Sequence, residues 1–138
     1  MFRILSKFLA LPRWRKRLTS EAIFFLYYAK FLLLVVPVKR VISLKVCRRK
    51  TKRDNGQADL TAIRQALGDA DRLSFWKNRC LVRSLAGRWM LQRRGLGSQI
   101  SFGVKHDDAG RLTAHAWLKS GDFEVVGKDG DYVELARY

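Results

Sequence analysis

The feature that most limits what this chain can fold into is a change of hydrophobic period at Arg93-Arg94-Gly95-Leu96-Gly97. Before it, apolar residues recur at helical spacing, as with Leu60, Ile63 and Leu67 in "LTAIRQAL". The segment from Asn78 to Gly95 likewise reads as a helix, closing on arginines that suit a C-terminal turn and a glycine that stops it. After it, the period is two. Ile100, Phe102 and Val104 alternate with polar or small residues in "SQISFGVK", Leu112, Ala114, Ala116 and Leu118 do the same in "RLTAHAWLK", and "DFEVVG" follows Ser120-Gly121 as a third strand. Helices followed by a small antiparallel sheet predict an α+β domain, and 138 residues are enough for one core.

Upstream, Thr19 and Ser20 can cap a helix with Glu21 in its first turn, which then runs through "AIFFLYYAKFLLLVVPV" and ends at Pro37. The 17 residues Ala22–Val38 sit at the lower limit for crossing a hydrocarbon core, and Lys30 is costly at mid-depth. A core or partner-facing helix is therefore expected. Membrane contact through residues 22–38 is the alternative, favoured by the Arg and Lys on both flanks. The opening "MFRILSKFLALPRWRKR" has an apolar run broken by Lys7 and Pro12 and no small-residue cleavage site, so it reads as mature protein. "KRVISLKVCRRKTKRDNGQ" begins with helix-compatible spacing and becomes a solvated basic linker, after which Asp59 caps the next helix and Gly68 stops it. The expected organisation is an apolar helix with a basic linker over residues 1–56 and the domain core over 57–138.

The formal net charge of +16 first suggests a groove for a polyanion. Its distribution argues otherwise: residues 1–53 hold 15 of the 28 Lys and Arg against Glu21 alone, leaving 13 basic and 11 acidic residues in the remainder. A nucleic-acid partner is not expected. No GxxxxGK[ST] or GxGxxG pattern supports nucleotide binding. Cys47 and Cys80 lack CxxC or His/Cys ligand spacing, so no metal and no disulfide framework are expected, and a reducing cytoplasm fits.

The chemistry gathers at Cys80. With Asn78 as N-cap, Cys80 falls in the first helical turn, where free backbone N–H groups, the positive end of the helix dipole, and Lys77 and Arg79 favour the reactive thiolate. His115, flanked by two alanines in mid-strand, can serve as general base across the helix–sheet seam, whereas His106 stands in the turn-like "KHDDAG". A third group should orient the imidazole. If the hairpin turns at Gly121, residue 115 faces Gly127, with Asp129 one diagonal step away; Asp131 is the reserve, and Asp122 lies in the turn itself.

These residues carry a resemblance. "CLVRSLAGRWMLQRRG", then "ISFGV", "AHAWLKSGD" and "EVVG", resemble the C-terminal peptidase domain of the lasso-peptide B proteins of microcin J type, in the transglutaminase-like (papain-like) cysteine-protease superfamily. The similarity covers Trp76 to Tyr138, and Cys-Leu-x-Arg-Ser-Leu-Ala paired with His-Ala-Trp is its specific part. The resemblance implies a leader peptidase that cuts the leader from a ribosomally made precursor before an asparagine-synthetase-like cyclase closes a macrolactam ring. It implies Cys80 as nucleophile, His115 as base and no cofactor. The family's aspartate falls where this chain has Gly127, which leaves Asp129 as the acid or a Cys–His dyad. Longer members carry a winged-helix leader-binding domain for which this chain has no room. The resemblance is to the split form, in which a separate small protein delivers the leader and residues 22–38 can dock it or the cyclase.

For catalysis, the backbone N–H groups at the start of the Cys80 helix are the expected oxyanion donors, with Asn78 or Gln99 as side-chain supplements. Trp76 and Trp117 are expected to pack around the site. Arg79, Arg83 and Arg93 are expected on a solvated helix face, Arg83 being the one that could meet a buried carboxylate. A non-catalytic basic or membrane-associated binding protein is the competing class.

Overall fold

The computed structural model describes residues 2–44, 56–74 and 80–138. Helix α1 (Phe2–Leu9) precedes the long α2 (Arg13–Val35), and a short α3 (Val38–Ser43) follows Pro37. Helices α4 (Gly56–Leu73) and α5 (Cys80–Arg93) lead into the strands β1 (Gln99–His106), β2 (Leu112–Ser120), β3 (Phe123–Val126) and β4 (Val133–Arg137). The basic linker expected before Gly56 falls outside the described residues, together with Cys47.

Helix α2 begins six residues before the expected Thr19 cap. Pro12, fixed near the φ it shows of −61°, sets the entry, and Thr19 is buried inside the helix. Helix α4 runs five residues past Gly68, because Ala66, Leu67 and Ala70 on either side of that glycine are fully buried; their packing outweighs its cost of about 1 kcal/mol in a helix. Gly95 terminates α5 as expected. With φ of 72° it closes a Schellman motif, in which the Leu96 N–H reaches the Leu91 carbonyl and the Gly95 N–H reaches that of Gln92.

The antiparallel sheet has the order β3-β2-β1-β4. One face packs on α5 through Ile100, Leu118, Val125 and Val126, which join a core shared by α2, α4 and α5. Trp89, fully buried on α5, meets Phe25 and Tyr28 of α2 at ring-centroid distances of 5.9 and 5.3 Å. Helix α2 is also bonded to its neighbours. The Glu21 carboxylate takes a two-pronged contact from Arg94 at 2.9 Å and a third from Arg93 at 3.1 Å, and Arg15 binds Asp69 of α4 at 2.8 Å. Arg93 is therefore a tie between helices, not part of a solvated face. Arg83 finds no carboxylate among the described residues: its Nε is buried without a bonded partner.

The alternation in β2 builds a core face only over half its length. Ala116 and Leu118 are buried, whereas Ala114 and Leu112 lie beyond the helices and are exposed. Gly121, at φ 60°, and Asp122 form the two-residue β2–β3 turn, a placement that suits a type II′ hairpin.

Candidate active site

Strand β3 is only four residues long, and the site lies where it stops. Lys119 pairs with Glu124 and Leu118 with Val126, so Val125 is an extra residue in the ladder. Both Val125 and Val126 are buried, which gives the bulge its physical reason: each contributes an apolar side chain to the core. The register expected from a turn centred on Gly121 is displaced by one residue at Ser120 and Lys119 and by two at Leu118, and His115 has no β3 partner. Along this stretch β2 has an open edge, which two groups from elsewhere in the chain occupy.

The first is the Cys80 thiol. Cys80 is the opening residue of α5 and is half-buried. The Ala116 N–H, which a longer β3 would have bonded, donates instead to Cys80 Sγ at 3.3 Å. The helix N-terminus thus sets its sulfur against the peptide joining His115 to Ala116. The second is the Gly127 carbonyl, 2.9 Å from His115 Nε2. A carbonyl only accepts, so Nε2 carries the ring proton and Nδ1 is left with its lone pair, the tautomer a general base requires. Asn78, Lys77, Arg79 and Trp76 lie outside the described residues, and the remaining expectation for this turn, free backbone N–H groups at the helix start, follows from Cys80 opening α5.

The imidazole is held between rings. Tyr132 packs at 4.9 Å between centroids with 31° between planes, and Trp117 at 6.2 Å with 24°. Lys128 sits over Trp117 and Lys105 over Tyr132, at 5.3 and 4.6 Å from the ring centres. Trp117 is almost fully buried on the sheet face opposite α5, packing around the site as expected. Opposite His115 on β1 stands Gly103, where a Cβ would come within 2.8 Å of both the Trp117 ring and the Val133 carbonyl. A glycine inside a strand pattern signals such close approach and was the available sequence clue to this packing. Tyr132 and the Gly127 carbonyl had no such signal, since neither ring stacking nor a main-chain acceptor leaves a residue pattern.

Asp129 comes close without bonding the ring directly. It adopts a left-handed φ of 50°, which asparagine and aspartate tolerate best among non-glycine residues, and its Oδ1 lies 2.9 Å from where a Cβ on residue 127 would stand. Its carboxylate thus fills the volume that a side chain at 127 would need. Asp131 lines a separate depression with Lys105, His106, Gly130 and Val133. Gln99 is at the far end of β1, opposite Lys119, three residues from the Phe102–Ala116 pair and thus about 10 Å along the strand; it cannot supply an oxyanion donor at Cys80. Among the described residues no His, Cys, Asp and Glu cluster could hold a metal ion.

A helix opening on Cys80, packed on an antiparallel sheet whose second strand carries His115, defines the α+β architecture of the chain. The chain belongs to the transglutaminase-like superfamily: the family model matches residues 25–137, from within α2 to the end of β4. That superfamily includes cysteine peptidases. No curated protein and no solved structure matches the chain.

Proposed function

We propose that this protein is a cysteine peptidase that removes the leader peptide from a ribosomally synthesised lasso-peptide precursor before a partner cyclase closes the macrolactam. What carries the reading is the pair of contacts at the open edge of β2: Cys80 Sγ against the Ala116 amide, and His115 Nε2 on the Gly127 carbonyl. Membership of the transglutaminase-like superfamily supports it, as does the resemblance of "CLVRSLAG" with "HAW" to leader peptidases of the B type.

His115 Nδ1 takes the thiol proton, and the Cys80 sulfur attacks the carbonyl carbon of the last leader residue, forming a C–S bond. Backbone N–H groups of the first α5 turn hold the resulting oxyanion. Collapse breaks the peptide C–N bond, and the departing amine of the core peptide receives the proton from His115. Water, deprotonated by the same imidazole, then hydrolyses the thioester, releasing the leader as a carboxylic acid and restoring the thiol. The Tyr132 and Trp117 rings keep the imidazole in one orientation throughout, and Asp129 supplies negative charge beside Gly127 as the imidazolium forms. No cofactor takes part. The partners in this reading are the precursor, a separate leader-binding protein and an asparagine-synthetase-like cyclase, in the cytoplasm.

The test combines the full-length chain with a lasso-peptide precursor and a leader-binding protein, and follows the products by mass spectrometry. Wild type should yield free leader and core peptides. Cys80→Ala and His115→Ala should each lower the rate by about 10³-fold or more, with precursor binding retained. Cleavage unchanged in Cys80→Ala overturns the assignment, and binding without cleavage by wild type points to a non-catalytic binding protein.

A further inference from the structure

Helix α2 is as apolar outside as inside. Thr19, Ala22, Phe25, Leu26 and Ala29 face the core, while Phe24, Tyr27, Phe31 and Leu34 recur at helical spacing on the opposite side, with Tyr28 at the margin, half exposed and half against Trp89, and Val38 continuing the stripe at the start of α3. All six are exposed, from 38 % at Tyr27 to 80 % at Leu34. The outer five fall within an arc of about 120° of the helix, the width of an amphipathic face. Such a stripe on an outward surface marks an interaction site.

Charge says what it meets. Residues 2–44 contain nine Lys and Arg and a single acid, Glu21, which is turned inward onto Arg93 and Arg94. Within residues 2–44 the stripe is therefore flanked by cations, with Arg13 and Arg17 exposed at one end, where Asp59 of α4 lines the same depression, and Lys39 and Arg40 exposed at the other. Apolar and aromatic groups rimmed by cations complement the acyl boundary and the headgroups of an anionic lipid leaflet. Helix α2 is also long and apolar enough to cross a bilayer, but its other face is the seat of Trp89 and of the Glu21 and Arg15 ion pairs. Crossing would strip that face from α4 and α5.

We propose that the protein docks on anionic membranes through this outer face, with the α2 axis in the plane of the surface and the stripe sunk into the headgroup boundary. The peptidase reading is independent of it, since the stripe contributes no residue to the Cys80 and His115 site. The experiment is co-sedimentation of the full chain with vesicles of phosphatidylcholine alone and of phosphatidylcholine with an equal part of phosphatidylglycerol. Binding should be at least about tenfold stronger to the anionic vesicles, be weakened by salt, and be released by alkaline carbonate as for a surface-bound protein. Phe31→Glu with Leu34→Glu, both at exposed positions, should lower binding by about tenfold or more while far-UV circular dichroism and the melting temperature stay as in wild type. Equal weak binding to both vesicles overturns the proposal, as does undiminished binding of the double variant. Resistance to carbonate overturns the in-plane geometry, and capture of the chain by its leader-binding protein or cyclase through this stripe, with no lipid binding, assigns the face to a protein.

Discussion

At the scale of single residues, two positions carry sharp expectations. Asp129 stands beside Gly127 while the His115 ring bonds the Gly127 carbonyl, so its effect on the imidazole is electrostatic. On the proposed peptidase reading, Asp129→Asn should lower kcat for leader cleavage by about tenfold, well short of the roughly 10⁴-fold loss expected when a carboxylate itself holds the ring. A loss as large as that of His115→Ala would show a direct bond in the working enzyme. Thr19 is fully buried with its Oγ1 lacking a partner, so the hydroxyl is desolvated without return. Thr19→Val should therefore raise stability by about 1 kcal/mol in urea unfolding. The placement of Cys80 at a helix start and of His115 in mid-strand was legible from the sequence because each sits in a recognisable local frame. The acceptor for His115 was not, because any residue can offer a carbonyl and only the bulge at Val125 brings this one to the ring.

At the scale of elements, the ties between helices and the closing strand are the testable features. Glu21 joins α2 to the C-terminal end of α5 through Arg93 and the following Arg94 in a partly buried setting, and Glu21→Ala should cost about 1–3 kcal/mol, measured against Arg93→Ala to separate the contributions of the two arginines. On the edge strand β4, hydrogen bonds first from Arg137 and then from Ser101 pull the Glu134 carboxyl down to about 2, against an ordinary value of 4.5. A carboxyl lowered on folding stabilises the native state above its unfolded value, and that contribution is lost as pH falls through the folded one. The difference in melting temperature between wild type and Glu134→Gln should accordingly be constant at neutral pH and shrink between about pH 4.5 and pH 2. The strands β1 and β2 were readable from alternation, and the stop of α5 from its arginines and glycine. The start of α2 and the end of α4 were not, because Thr19, Ser20 and Gly68 carry local signals that burial in the assembled helices overrides.

At the scale of the whole molecule, helix α2 is one wall of the core, contributing Ala22, Phe25, Leu26 and Ala29 to it. Phe25, against Trp89 of α5, and Leu26 are both buried in that core, and side chains of that kind contribute about 1.5–3 kcal/mol apiece. Set against a domain stability of about 5–15 kcal/mol, their loss should leave a fragment beginning at Gly56 without a cooperative thermal transition and with strong binding of a hydrophobic dye. A sharp transition in that fragment would show a self-sufficient C-terminal unit. The α+β class, the helix carrying Cys80 and the strand carrying His115 are written in spacings of two to four residues, a range over which side-chain direction follows from backbone geometry alone. Which face of the doubly apolar α2 turns inward, where β3 ends, and which group holds the His115 ring depend on residues 12 to 73 positions apart meeting in space. Those meetings are settled by packing, where a bulge or a buried tryptophan outweighs any local preference, and so they appear only once the chain has closed on itself.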